Sequence, residues 1–161
     1  MYKRILVPLG GSPTGDRVLP YVRNLRRKLG AKVELFRVFE SEPEYFYPEP
    51  FLYQDCTEDS EIYREEVMTS LGTAKTNLEA AGVAAVAVMH EPDHPETDLT
   101  ETGHSWGTPA QHIVSESQKV SDTLIAMATH GRVGVGRWDM GSVTDKVLHA
   151  VKPPVLIIHG G

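Results

Sequence analysis

The sequence predicts an α/β protein in which a parallel sheet carries helices on both faces. Short apolar runs alternate with helical patterns along all 161 residues, as expected when parallel strands are joined by right-handed crossovers. The first run, "RILVPL" (4–9), is almost continuously apolar, which is typical of a strand buried on both faces. The length and a 40% hydrophobic content suit one core, so we expect a single domain over 1–161.

The second and third elements follow from local patterns. A helix is indicated by apolar residues along one face, namely Val18, Val22, Leu25 and Leu29. Pro20 lies inside this pattern, so the helix is expected to kink there or to begin late. Gly30, directly after a basic last turn, predicts its end. The segment "AKVELFRV" (31–38) alternates and is rich in β-forming residues, which predicts a second strand.

The rest of the chain repeats the same alternation. The remaining predicted elements are a helix from Ser60 to Gly82, a strand at 83–89, a helix at 108–120, a strand at 123–128, a helix at 142–151 and a strand at 154–158. The helix before Gly82 is supported by a stripe of apolar residues, namely Leu71, Ala74, Leu78 and Ala81. Two acidic segments without periodicity, 39–59 and 90–107, are predicted to be long loops within the domain.

Composition excludes several classes of function. A net charge of -6 argues against binding to nucleic acid or to anionic membranes. The single cysteine, Cys56, excludes an internal disulfide and a cysteine-based zinc cluster within the chain. No stretch approaches the ~18 apolar residues of a membrane span, and the N-terminus lacks the apolar core of a signal peptide. We therefore expect a soluble, cytoplasmic protein.

The connection between the fourth strand and the last helix has the composition of an anion site. Ligands of doubly wound sheets bind at the carboxyl ends of the strands where the strand order reverses, and this connection is expected there. Gly141 and Ser142 stand where the last helix begins, and Thr144 lies in its first turn. A helix N-terminus offers free amide groups and partial positive charge to a phosphate. Arg132 and Arg137 lie in the same connection.

A purely structural interpretation of this connection stays open. Ser142 is followed three residues later by Asp145, a capping pattern that would satisfy the helix amides internally. The connection contains neither a G-K-[ST] nor a G-x-G-x-x-G run. Residue chemistry alone therefore leaves anion binding and helix capping as alternatives.

Three segments resemble the universal stress protein family, and the resemblance covers essentially the whole chain. They are "ILVPLGGS" at the start, "GTPAQHI" before the fourth strand and "MATHGR…GSVTDKVL…PPVLII" at the end. In the ATP-binding branch of the family the signature is G-x2-G-x9-G-[ST]. Gly131, nine residues, Gly141 and Ser142 fit it, whereas Ala128 occupies the first position.

The resemblance implies a Rossmann-like, adenine nucleotide α-hydrolase-like fold with five parallel strands in the order 3-2-1-4-5. It implies a homodimer joined through the last strand (154–158). It also implies that ATP or AMP binds between the ends of the first and fourth strands. Mg²⁺ is expected to come with the phosphates, because this ion usually keeps waters and needs few protein ligands.

The resemblance also assigns residues to the two halves of the site. The adenine and ribose side would be Pro8, Leu9, Gly10, the backbone of Val38, Met127 and Ala128. The phosphate side would be His130, Gly131, Arg132, Gly141, Ser142, Val143 and Thr144. Ala128 adds a methyl group where the family has glycine, and Gly10 stands where ATP-binding relatives commonly have aspartate. Each departure is expected to weaken binding by about 1–3 kcal/mol.

A different class of function is suggested by "GHSWG" (103–107), which satisfies the G-x-S-x-G pattern of a serine hydrolase with Ser105 as nucleophile. That pattern requires a buried strand before the turn, and "DHPETDLTET" is too polar to form one. A hydrolase therefore remains a remote alternative.

Two further groups of residues have open interpretations. His90, His94, His104 and His112 lie in or near the second acidic segment, where they either bind a divalent metal or stay hydrated. The aromatic residues of 45–53 either cover the nucleotide, pack on a second subunit or fold back on the domain.

Together these observations predict a dimeric, adenine-nucleotide-responsive module of stress response or regulation. No residue of the expected crevice resembles an activated nucleophile, so we expect no enzyme activity beyond slow ATP hydrolysis. The alternative is an interaction module of the same fold without a nucleotide site.

Overall fold

The computed structural model describes residues 1–11, 13, 15–39, 56–91, 108–130 and 141–160, with the backbone alone at 56–60, 130 and 160. The strands are β1 (Arg4–Pro8), β2 (Lys32–Val38), β3 (Ala85–His90), β4 (Thr123–His130) and β5 (Val155–Gly160). The helices are α1 (Leu19–Leu29), α2 (Cys56–Ala80), α3 (Pro109–Gln118) and α4 (Ser142–Ala150), and a short 3-10 helix, Gly15–Val18, precedes α1.

The five strands form one parallel sheet in the order β3-β2-β1-β4-β5, which confirms the predicted fold and strand order. Every residue of β1 is buried, in agreement with the nearly continuous apolar run from which the strand was predicted. The chain moves outward from β1 through β2 to β3, and then returns to the other side of β1 as β4. The strand order therefore reverses between β1 and β4, and their carboxyl ends border the switch point of the sheet.

Each face of the sheet has its own hydrophobic core. On one face, residues of β1, β2 and β4 pack against α1 and α2, and this α1/α2 core includes Val7, Val22, Leu35, Leu71 and Ala126. On the other face, the α3/α4 core is made by Leu6, Phe36, Ile113, Met127 and Val147. Because side chains alternate along a strand, neighbouring residues of one strand contribute to opposite cores.

Several boundaries differ from the predictions. α1 does begin late, at Leu19, which places Pro20 in the first turn, where its missing N–H removes no helical hydrogen bond. α2 begins at Cys56 instead of Ser60, so 56–59 is not part of the long loop predicted at 39–59. The segment "CTED" has no apolar stripe, but acidic residues favour a first helical turn. β3 extends to His90, so the second predicted loop begins one residue later.

A buried arginine joins four elements at the amino end of the sheet. Arg4 is 5% exposed; its Nε donates to Thr123 Oγ1 at 3.2 Å and its Nη1 to the Glu34 carboxylate at 3.1 Å. It also donates to Glu116, through Nη1 to Oε1 at 3.2 Å and through Nη2 to the backbone oxygen at 2.6 Å. Burial raises the pKa of Glu116, but hydrogen bonds from Lys119 and Arg4 outweigh it and leave the pKa below its ordinary value.

Among the described residues, no helix combines the length and the apolar character required to cross a bilayer.

Candidate functional site

The candidate site lies at the carboxyl edge of the sheet, where β1 ends. Pro8 is the last residue of β1, and the amide of Leu9 still donates to the backbone oxygen of Phe36 at 2.9 Å. The side chain of Leu9 is buried in the α1/α2 core, so only its backbone faces the edge. Gly10 is exposed, and a Cβ atom added there would meet no described atom within 4 Å. The site therefore has room at residue 10 for a side chain that the protein does not supply.

The turn after β1 requires a glycine at the next position. Gly11 has φ +73°, a left-handed conformation that side chains disfavour. A Cβ atom at Gly11 would overlap the guanidinium group of Arg37, which crosses from β2 and donates to Ser70 Oγ. Arg37 thus covers this turn on the α2 side.

Residues of β2 and β4 divide between the two faces at this edge. Val38 and Met127 both contribute to the α3/α4 core, and Met127 is 4% exposed. Ala128, the residue that replaces a family glycine, is half-buried and its methyl group packs against the α1/α2 core. The extra methyl group is therefore accommodated by the protein on the face opposite to Val38 and Met127.

The N-cap residue of α4 is a glycine, so the N-cap position itself supplies no capping side chain. Gly141 is the N-cap residue and makes no side-chain cap hydrogen bond, while Ser142 is already the first helical residue. The alternative in which Ser142 and Asp145 cap this helix is therefore wrong. The backbone N–H of Asp145 donates to the Gly141 oxygen at 3.0 Å, but in the described part of the chain the amides of 142–144 have no acceptor. Three amide donors and the helix dipole thus point out of this end.

Two threonines lie around this helix end. Thr129, near the end of β4, is 4% exposed and its Oγ1 accepts a hydrogen bond from the Gly141 amide at 3.4 Å. It holds the N-cap of α4 against the sheet edge, and sequence reasoning missed it. The only signal was a hydroxyl residue near the end of a mainly apolar strand. Thr144, which was predicted, is 4% exposed and lies in the first turn of α4.

Some predicted site residues cannot be placed. Gly131 and Arg132 fall outside the described residues, as do Arg137, Ser105 and the aromatic segment 45–53. For His130 only the backbone is described, and it pairs with Gly160 of β5. The structure thus places Pro8, Gly10, Val38, Met127, Gly141, Ser142, Val143 and Thr144 at the carboxyl edge of the sheet or at the α4 end beside it.

Two of the four predicted metal-site histidines are in contact. His90, at the end of β3, and His112, on α3, approach to 2.9 Å between Nε2 and Nδ1. His94 and His104 lie outside the described residues. Within the described ranges, no group of three or more histidine, cysteine, aspartate or glutamate side chains is arranged for a metal ion.

A doubly wound parallel sheet with a helix N-terminus beside its switch point defines the class of α/β proteins whose ligand crevice lies at the carboxyl ends of the strands. Comparison with known proteins identifies the family: the chain belongs to the universal stress protein family, whose model matches residues 1–159.

Individual relatives extend along nearly the whole chain. The universal stress protein MJ0531 of Methanocaldococcus jannaschii is 28% identical over 158 residues, which cover 98% of this chain and 82% of the relative. Among solved structures, hypothetical protein MJ0577 matches with a TM-score of 0.72 at 24% identity, over 100% of this chain and 98% of that one. The universal stress protein of Archaeoglobus fulgidus, solved in complex with dAMP, matches with a TM-score of 0.60 at 20% identity, over 98% of both chains.

Proposed function

We propose that this protein binds an adenine nucleotide, ATP or AMP, at the carboxyl ends of β1 and β4, with the phosphates at the N-terminus of α4. The observation that carries the proposal is the set of backbone amides at 142–144, which have no acceptor among the described residues and lie beside the switch point of the sheet. Backbone amides aligned with a helix dipole are suited to a phosphate, and this local field operates although the whole chain has a net charge of -6. The dAMP complex of the structurally similar A. fulgidus protein supports adenine nucleotide as the ligand class.

The nucleoside would lie between the ends of β1 and β4, over Pro8 and Met127 and near the backbone of Val38. Mg²⁺ would accompany the phosphates of ATP, because this ion usually retains waters and needs few protein ligands. His130, Gly131 and Arg132 would complete the phosphate side.

Two substitutions at the helix end test the phosphate site by calorimetric titration with Mg-ATP and with AMP. A Cβ atom added at Gly141 would meet no described atom within 4 Å, so Gly141→Val is expected to obstruct the ligand more than the fold. Ser142→Asp puts a carboxylate in the first turn, which suits the helix dipole but repels a phosphate. We expect each variant to raise the Kd by at least about 30-fold, roughly 2 kcal/mol.

Stability measurements separate loss of binding from loss of fold. Ser142→Asp is expected to keep or slightly raise the melting temperature while it weakens binding. Gly72→Ala, in the middle of α2 and away from the site, is the glycine control and should leave the Kd unchanged. Parent-like affinity in both Gly141→Val and Ser142→Asp would refute phosphate binding at this helix.

Reversal of the two departures from the family pattern is expected to affect nucleotide affinity differently. Gly10→Asp supplies a hydrogen-bond acceptor in open space, and we expect it to tighten binding by about 1–3 kcal/mol. Ala128→Gly should change the Kd little, because the methyl group that it removes packs in the α1/α2 core. A large gain in affinity from Ala128→Gly alone would show that the methyl group faces the ligand after all.

We propose that the bound nucleotide regulates the protein and is not turned over at a useful rate. In the described part of the crevice, no carboxylate or imidazole side chain is in contact with the amides of 142–144 in a position to orient a water molecule. Phosphate release from saturating Mg-ATP is the measurement. Rates typical of a dedicated ATPase, about 1 s⁻¹ or faster, would contradict a regulatory role.

We also propose a homodimer through β5, the edge strand beside β4. Four consecutive apolar residues of this strand, 155–158, are only half-buried in the monomer, and an unpaired edge of this kind favours strand pairing. Ile157→Lys should yield a monomer in sedimentation analysis. Val86→Lys, on the opposite edge strand β3, is the matched control and should leave the dimer intact.

The second candidate function is an interaction module of the same fold that binds no nucleotide. The absence of a carboxylate at Gly10 favours it. If neither Mg-ATP nor AMP binds the parent protein while Gly10→Asp restores binding, this second candidate is the correct one.

A further inference from the structure

At the carboxyl end of β3, the structure contains a close pair of histidines. His90 Nε2 and His112 Nδ1 are 2.9 Å apart, and the ring centroids are separated by 4.6 Å with an interplanar angle of 47°. Both residues are half-buried. On its other side, the His90 ring stacks on Phe36 at a centroid distance of 5.8 Å.

The two distances agree with a bent N–H···N hydrogen bond and also with two ligands of one metal ion. In a straight N–H···N hydrogen bond of this length the centroids would be about 5.2 Å apart, because each lies about 1.15 Å behind its nitrogen. Two imidazoles that share a metal ion at about 2.05 Å with a right angle between them have nitrogens about 2.9 Å and centroids about 4.5 Å apart. A tetrahedral angle would require about 3.3 and 5.2 Å. Both observed distances match the right-angled arrangement.

The two rings are held by separate, well-anchored elements. β3 pairs with β2 along its length, with Val38 opposite His90, and the Phe39 amide donates to the His90 oxygen at 2.8 Å. α3 begins with a hydrogen bond from the Thr108 amide to Gln111 Oε1 at 2.6 Å, one residue before His112. The pair is therefore positioned before any ion arrives, which lowers the cost of binding one.

We propose that His90 and His112 are adjacent ligands of a divalent transition-metal site with octahedral or square-planar geometry. Such geometry favours Cu²⁺ and Ni²⁺ over Zn²⁺, which prefers a tetrahedral arrangement, and the Irving–Williams order acts in the same direction for Cu²⁺. The described residues supply two of its ligand positions. This inference does not depend on nucleotide binding, and its test contains no nucleotide.

The test is a titration of tag-free, metal-stripped protein at pH 7.5 with Cu²⁺, Ni²⁺ or Zn²⁺ alone, in competition with a weak chelator. The parent should bind one equivalent, with affinity falling in the order Cu²⁺, Ni²⁺, Zn²⁺. His90→Gln and His112→Gln should each weaken Cu²⁺ binding at least tenfold, because one imidazole ligand is lost. His149→Gln is the control, since His149 is exposed on α4, outside the pair.

A spectroscopic measurement makes the test independent of affinity. The electron paramagnetic resonance spectrum of the Cu²⁺-loaded parent should show coupling to two nitrogen nuclei, and each pair variant should show one fewer. Thermal unfolding of the metal-free variants establishes that they are folded. The proposal is overturned if the parent binds none of the ions, if Zn²⁺ binds more tightly than Cu²⁺, or if His149→Gln weakens binding as much as the pair variants do.

Discussion

Removal of the buried Arg4 guanidinium should destabilise the protein strongly. The Arg4 side chain is 6% exposed, and its carboxylate partners Glu34 and Glu116 are 20% and 12% exposed. Arg4→Ala leaves Glu34 without this cation and Glu116 with Lys119, at 2.7 Å, as its other basic partner. Removal of one partner from a desolvated ion pair typically costs about 3–5 kcal/mol. For a domain of this length, about 2–4 °C of melting temperature is lost per kcal/mol, so the expected decrease is about 6–20 °C.

The matched control is the adjacent residue. Lys3 pairs with Asp122 at 3.2 Å, but these side chains are 70% and 46% exposed, so Lys3→Ala should cost only about 0–1 kcal/mol. Both variants would be measured by urea unfolding followed by circular dichroism. A loss of less than about 1 kcal/mol in Arg4→Ala would refute the argument that this cluster is desolvated.

The remaining predictions concern pH, backbone conformation and the core. The pKa of Glu116 is lowered in the folded state, so its contribution to stability is present above the ordinary pKa and is lost as the pH falls through the folded pKa. The difference in unfolding free energy between the parent and Arg4→Ala should therefore become smaller in acid. A difference that does not change with pH would contradict this. In urea unfolding, Gly30→Ala should lower the free energy of unfolding by about 1–2 kcal/mol, because φ is +66° at Gly30. Gly72→Ala, inside α2, should raise it by about 0.5–1 kcal/mol. Changes of the same sign in both variants would be inconsistent with these backbone conformations. Leu71 is 2% exposed, so Leu71→Ala should lower the free energy of unfolding by about 2–5 kcal/mol. Met68 is 53% exposed, so Met68→Ala should change it by no more than about 0.5 kcal/mol. Similar losses in both variants would argue against the packing of α2 described above.

The sheet could be predicted from sequence because each strand is a short apolar run between turn signals. This signal is strongest in β1, where all five residues are buried. The start of α2 was missed because the sequence "CTED" (56–59) has no helical apolar periodicity, which is the signal from which the other helices were predicted. The strand order came from the family resemblance and not from periodicity, which does not specify how strands neighbour one another.

The site was predictable only in part, because its chemistry depends on orientation. Ala128 and Met127 are neighbours on β4, so their side chains point to opposite faces of the sheet. The sequence alone does not say which of these faces carries the site, and therefore does not say whether the Ala128 methyl group meets the ligand or the core. The capping pattern of Ser142 and Asp145 was misleading because the helix begins one residue too early for Ser142 to serve as N-cap. The contact between His90 and His112 joins residues 22 positions apart and exists only in the folded chain.

The most direct test of the nucleotide site is a nuclear magnetic resonance titration of ¹⁵N-labelled protein with AMP and with Mg-ATP. The account predicts that the backbone amide signals of Ser142, Val143 and Thr144 move downfield as these amides donate to phosphate, and that Gly10 and Met127 signals shift with the same Kd. Binding that leaves the amides of 142–144 unmoved, or no binding of either nucleotide, would contradict the account.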